Sequence, residues 1–470
     1  MTERRLRQTA ARRTMQRGGS AFVRGVVACG VLTLATCARD AEPPRTPSAT
    51  SAAPGSADES SAQTEPGSSF GSSGEQLPAE GEVANRKGAE PRGSQREWGD
   101  DPETRALQEA SGPLAPFWRA LAAARQGRRA EPVRVLWLGD SHTAADFMTG
   151  ALRQELQRRH GRGGAGFVRA GITQYRHHVA QVEVGGKWRR IPQQPSRRST
   201  VLDGVFGLCG MRAVPEPGSF ASVRLRDKGQ VGDTPVRWTI AYRAPEGGAL
   251  QVRLGERSER LAAAPDESIQ RFVVEGAPGD ELRIEHAGGA PEVFGVFADS
   301  AGPGVVVDTC GIDGARIATL LAWEAEAWQR EVRLRAPDLV VLAFGTNEAF
   351  DGGPVERYGD EFRRVMERVR AAVRGVPCWI VGPPDARDAS GRAAERVASI
   401  TEVQRRAAES LGCGFVSLRE LMGGEGSFGA WRSASPPLAA ADGIHLTGEG
   451  YRKLGAALAE ALLPAGVAAP

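Results

Sequence analysis

Lysine is almost missing from this chain of 470 residues: its sixty basic side chains include only four lysines, Lys87, Lys187, Lys228 and Lys453. The rest are arginines, and with a net charge of +3 and no sustained basic block the chain lacks the footprint of a nucleic-acid binder. Histidine is scarce too. There are six, and no Cys/His cluster has the spacing of metal ligands, so neither a metal site nor a cofactor is expected. No apolar run is long enough to span a bilayer, and no repeat of fixed period is present. What remains, 41% hydrophobic and 25% charged, suits a soluble globular protein of two or three domains.

The N-terminal segment reads as an export signal. Arg4, Arg5, Arg7, Arg12, Arg13, Arg17 and Arg24 precede the short apolar run Val26–Thr36. The run ends in Leu34-Ala35-Thr36-Cys37, which resembles the lipobox of bacterial lipoproteins, so residues 1–37 are read as a lipoprotein-type signal in which the chain is cut before Cys37, and Cys37 is lipidated as the mature N-terminus. Ala38 follows that cysteine where inner-membrane retention often uses aspartate, which points to the outer membrane, on its periplasmic side. Residues 38–99 are rich in Ser, Pro, Glu and Gly with few large apolar side chains, the composition of a disordered tether. Gly67-Ser68-Ser69-Phe70-Gly71 in that tether spells G-x-S-x-G, but without a strand before it or a helix after it no nucleophile elbow can form. Gly161-x-Gly163-x-x-Gly166 spells a dinucleotide fingerprint, yet it follows a helix-like segment and is expected to be a glycine-rich helix exit and loop.

Beyond the tether, strands and helices alternate. Continuous apolar runs at 133–139, 305–307, 339–345, 378–382 and 415–418 are expected as strands buried on both faces of a parallel sheet. Met148, Leu152 and Leu156 share one helical face, and Ile317, Leu320, Leu321 and Trp328 share another; helices are also expected over 357–374, 392–411 and 448–463. The fold class is therefore a doubly wound α/β domain, in which sites form at the carboxyl ends of strands. Residues 181–302 break the rhythm with short, often alternating runs (VRL, VRWTIAY, LQVRL, RFVV, LRIEH, VFGVF) between Gly, Pro and Asp turns. They are read as an inserted antiparallel β-sandwich-like domain, which divides the α/β domain into 100–180 and 303–470.

Three sheet strands end in polar or glycine-rich turns: Gly139-Asp140-Ser141-His142, Cys310-Gly311-Ile312-Asp313-Gly314-Ala315 and Gly345-Thr346-Asn347-Glu348. A fourth turn carries Asp442-Gly443-Ile444-His445. In these four blocks, in this order, the sequence resembles the SGNH (GDSL-type) hydrolases over about residues 100–180 and 303–470, with GDSH in place of GDSL and GTNE in place of GxND. The resemblance implies a serine nucleophile at Ser141, a general base at His445 and an orienting acid at Asp442. It also implies an oxyanion hole from the main-chain N–H groups of Ser141 and Gly314 and the carboxamide of Asn347.

Chemistry supports each role. A serine hydroxyl is a weak nucleophile until a base within hydrogen-bond reach takes its proton. An acid three residues before the histidine can orient the ring from the same turn, and preorganised N–H donors stabilise the charge on a tetrahedral intermediate. Asp140 is expected to hold the nucleophile turn, His142 to support it, and His177 and His178 to lie on the surface or touch substrate. Within the family, the inserted β-domain resembles that of periplasmic peptidoglycan O-acetylesterases. This implies an O-acetylated polysaccharide substrate, an envelope location and a membrane attachment through Cys37. Acetyl transfer, lipid or aryl ester hydrolysis at the same site, and glycan binding without catalysis are the alternatives. Of the cysteines outside the signal, Cys378 and Cys413 stand at the start of neighbouring strands and form the better pair; Cys209 with Cys310 is left undecided.

Overall fold

The computed structural model describes residues 101–172, 175–191, 203–226, 234–264, 268–387, 392–464 and 467. The expected signal segment with Cys37, the tether and the Gly67–Gly71 decoy lie outside the described residues.

Two helices, α1 (Pro102–Glu109) and α2 (Ala115–Arg125), lead into β1 (Val133–Gly139), α3 (Ser141–Ala144) and α4 (Met148–His160). Among the described residues only strands then follow: β2 (Gly164–Val168), β3 (Ala180–Gly185), β4 (Trp188–Arg190), β5 (Ala213–Pro215), β6 (Phe220–Leu225), β7 (Val236–Arg243), β8 (Ala249–Leu254), β9 (Arg257–Ala262), β10 (Gln270–Gly276), β11 (Leu282–Gly288) and β12 (Glu292–Ser300). Alternation returns with β13 (Val305–Gly311), α5 (Ala325–Arg335), β14 (Leu339–Ala343), α6 (Thr346–Phe350), α7 (Val355–Ala372), β15 (Cys378–Gly382), α8 (Arg392–Leu411) and β16 (Gly414–Ser417). Helices α9 (Leu418–Met422), α10 (Ser427–Arg432) and α11 (Gly448–Leu462) close the chain.

The central sheet has the order β13-β1-β14-β15-β16, parallel throughout. Its strands are continuous apolar runs because both faces are covered. Val135 and Trp137 of β1 pack with Leu121 of α2, Leu152 of α4 and Leu458 of α11, while Leu136 and Leu138 join Val340, Val365 and Ile400 on the opposite face. The expected doubly wound α/β domain is thus present. The inserted strands form two antiparallel sheets, β10-β7-β12-β5-β4 and β3-β6-β11-β8-β9, whose apolar side chains meet in one cluster that includes Trp238, Ile240, Leu250 and Ile284. Cys209 is bonded to Cys310 and Cys378 to Cys413. The first bond ties the inserted segment to the carboxyl end of β13. Among the described residues no helix is long and apolar enough to cross a membrane.

Two local expectations are corrected. The glycine-rich stretch after α4 is not only a loop: Gly164–Val168 is a strand paired antiparallel with β12, with Phe167 opposite Phe297 and Val168 opposite Val296. Glycines diluted the apolar signal of a strand whose every residue is buried. Nor do Ile317, Leu320, Leu321 and Trp328 lie on one helix. Ile317–Ala322 is a 3₁₀ helix, Trp323 turns extended, and the Glu324 carboxylate accepts the amides of Glu326 and Ala327 to start α5 afresh.

Candidate active site

The sheet register brings three of the four sequence blocks level. Gly139 at the end of β1 is paired with Gly311 of β13 on one side and Ala343 of β14 on the other. The segments bearing Ser141, Gly314 and Asn347 therefore leave the sheet side by side. Asp140 caps α3, its Oδ1 accepting the His142 amide at 3.0 Å, so that Ser141 is the first residue of a four-residue helix. Gly311 packs flat against that helix, where an added Cβ would lie 2.3 Å from the Ala144 nitrogen.

The fourth block closes on the first. Ser141 Oγ is 2.9 Å from His445 Nε2, although 304 residues separate them. His445 Nδ1 lies 2.7 Å from Asp442 Oδ2, and Asp442 Oδ1 accepts the amides of Ile444 and His445, each at 2.9 Å. Partial burial works against the Asp442 charge, but those amides and the imidazole outweigh it and hold the carboxyl down at about 2. The ring is thereby oriented from one side and presents its other nitrogen to the serine.

Gly314 sits in a left-handed turn (φ 70°) with nothing within 4 Å of where a Cβ would be. The main-chain amides of Ser141 and Gly314 donate to no acceptor among the described residues. Asn347, near the start of α6, donates from Nδ2 to the Ala315 carbonyl at 2.8 Å, which joins the β14 turn to the β13 turn and leaves a second N–H on the carboxamide. Its neighbour Glu348 makes a parallel link, with Oε1 accepting the Ile317 amide at 2.9 Å. Burial pushes the Glu348 carboxyl up to about 8.

Behind the reactive face the groups are buried. Burial raises Asp140 to about 7 and lowers His142 to about 3. His142 Nδ1 meets the Tyr451 hydroxyl at 2.9 Å, and its ring centroid is 5.3 Å from that of His445, so it backs the histidine turn.

The expectation that His177 is a surface or substrate-contacting residue is corrected. Its side chain is fully buried, and Nδ1 accepts the amides of Val179 and Ala180. His178 is half-buried and packs on Gly150. Both belong to a network the sequence did not reveal, centred on Asp146, a non-glycine residue at φ 50°. Asp146 accepts from Arg153, Thr149, Thr309 and the His178 amide. Against the cost of burial, Arg153 and His177 keep its carboxyl far below the ordinary range. This network pins the corner between α3 and α4, just past the serine. Among the described residues no group of three or more His, Cys, Asp or Glu is placed to hold a metal ion.

Residues 275–453 match the GDSL-like lipase/acylhydrolase family, a span that includes Gly314, Asn347, Asp442 and His445 and starts beyond the Ser141 block, which the insert separates from it. No curated protein matches the chain. Among solved structures the chain is similar to a peptidoglycan O-acetylesterase, with 25% identity, a TM-score of 0.64, and coverage of 75% of this chain and 96% of the other. It is also similar to a lipase/acylhydrolase from Enterococcus faecalis (22% identity, 34% of this chain, 76% of the other, TM-score 0.27). An acetyl xylan esterase matches over a comparable region (18% identity, 34% and 81%, TM-score 0.27). Fold and site together define the class: this is an SGNH-hydrolase fold carrying an esterase site. Within that class the chain resembles the peptidoglycan O-acetylesterase over three quarters of its length.

Proposed function

We propose that this protein is a serine esterase that removes O-acetyl groups from a cell-envelope polysaccharide, O-acetylated peptidoglycan, through an acetyl-serine intermediate. The reading is carried by the unbroken relay Ser141–His445–Asp442, with links of 2.9 and 2.7 Å. Ser141 Oγ attacks the acetyl carbonyl carbon while His445 Nε2 takes its proton, and Asp442 stabilises the imidazolium that forms. The oxygen that gains charge rests against the amides of Ser141 and Gly314 and the carboxamide of Asn347. The ester C–O bond then breaks, His445 returns the proton to the departing sugar hydroxyl, and the acetyl group stays on Ser141. Water loses a proton to His445 and attacks the acetyl-serine; acetate leaves and Ser141 regains its hydrogen.

The peptidoglycan substrate rests on the resemblance across 96% of an O-acetylesterase of that class. Lipidation at Cys37 would hold the enzyme at the periplasmic face of the outer membrane, with residues 38–99 giving it reach to the wall. In this reading the inserted sandwich holds glycan near the serine.

The test is acetate release by the purified protein from O-acetylated murein and from an acetylated plant glycan. Free acetate, rather than acetyl groups on an added glycan acceptor, separates hydrolysis from transfer. Ser141→Ala is expected to lower activity on a small acetyl ester by about three orders of magnitude or more. A variant that keeps its activity would end the reading.

A further inference from the structure

Against Phe147, at the start of α4, and the first turn of α11 stands a group of arginines that the mechanism does not use. Phe147 stands six residues past Ser141, at the start of α4. On one side its ring stacks on Tyr451, the partner of His142, with centroids 6.3 Å apart and planes 10° from parallel. On the other it reaches Gly448, three residues past His445, where an added Cβ would be 2.8 Å from the ring. The Arg176 guanidinium lies over this ring at 3.5 Å from its centroid, and that of Arg452 lies 5.9 Å from the same centroid. Arg226 is close enough for its charge to act on Arg176.

Among the described residues one carboxylate, Glu449, forms an ion pair with this cluster. Arg176 and Arg226 form no ion pair among the described residues, and Arg452 pairs only with Glu449, at 2.7 Å. The other acids nearby are engaged: Asp146 by Arg153 and Asp442 by His445. Partial burial and the charges of Arg226 and Arg452 push the Arg176 guanidinium down, against an opposing pull from Asp146. Packing on the Phe147 ring holds the Arg176 guanidinium in place, and its N–H groups can meet a planar anion.

We propose that Arg176, presented by Phe147 and reinforced by Arg226 and Arg452, is an anion subsite that binds a carboxylate of the substrate close to the acetylated sugar. The inference rests on the esterase reading and deepens it: the preferred substrate is an acidic glycan or glycopeptide. A carboxylate on the sugar and one on an attached peptide share this chemistry.

The experiment measures kcat and KM of the full chain and of Arg176→Met on three substrates: 4-nitrophenyl acetate, an O-acetylated muropeptide and an acetylated uronic-acid oligosaccharide. For at least one acidic substrate, kcat/KM should fall about tenfold more than for the neutral ester, mainly through KM. Arg176→Lys should keep part of the preference, and added salt should erode it in the parent protein. A selective loss on the muropeptide alone assigns the carboxylate to the peptide; a loss on the oligosaccharide alone assigns it to the sugar. Equal changes on all three substrates, or no change on either acidic one, overturn the subsite while leaving the esterase intact. A parent protein inert towards every acetyl ester refutes the esterase reading itself.

Discussion

At the scale of single residues, Asn347 is the most exacting test of the site. Its carboxamide is fixed by one hydrogen bond to Ala315 and keeps one N–H for the reacting oxygen. Asn347→Ala should lower kcat on an acetyl ester about 100- to 1000-fold, roughly 2.7–4 kcal/mol of barrier, with little change in KM. A kcat within a few-fold of the parent value would remove Asn347 from the oxyanion site. Ser141, Gly314 and Asn347 were legible as candidates because they follow sheet strands, and Asp442 and His445 because they share one turn; the structure joins Ser141, His445 and Asp442. Asp146, Arg153 and His177 could not. A buried ion pair has no periodicity, and Asp146 and His177, 31 positions apart, meet only after β2 has been placed between them in the chain.

At the scale of elements, the nucleophile depends on a helix of one turn that has almost no stability of its own. It is held by the Asp140 cap and by contact with the end of β13, where Gly311 leaves room for the backbone of Thr143 and Ala144. Gly311→Ala would press a methyl group into that backbone. It should cost about 1–3 kcal/mol of stability in a denaturant melt and lower esterase activity by more than that loss explains, since α3 carries Ser141. Strands such as β1 and β15 were legible to the residue because burial on both faces makes them continuous apolar runs. The 3₁₀ segment before α5 was not, because Ile317, Leu320 and Trp328 are all buried and keep helical spacing across a break that only the Glu324 cap creates.

At the scale of the whole molecule, buried ionisable groups should make stability depend on pH. Burial lowers His142 and His160 to about 3 and His177 to about 4. In the unfolded chain these rings take up protons near 6.5, so their contribution is complete above that pH and is lost as pH falls towards 4 and 3. Asp140 and Glu348, raised to about 7 and 8, act in the opposite sense: their contribution is complete below about 4 and is lost as pH rises to those values. His160→Gln, remote from the site, should therefore shrink the drop in Tm between pH 6.5 and 4; an equal drop in parent and variant would count against it. The two-part architecture was legible from a change of strand rhythm at the insert, but the place of β2 was not, because its pairing partner lies more than a hundred residues away. That pairing has a consequence for how such a protein can diversify. Since β2 is laced to β12 and β12 passes directly into β13, the sandwich cannot be exchanged as a cassette without leaving a strand orphaned beside the catalytic sheet. Change in the insert must then come by rewriting its loops, with the frame inherited whole.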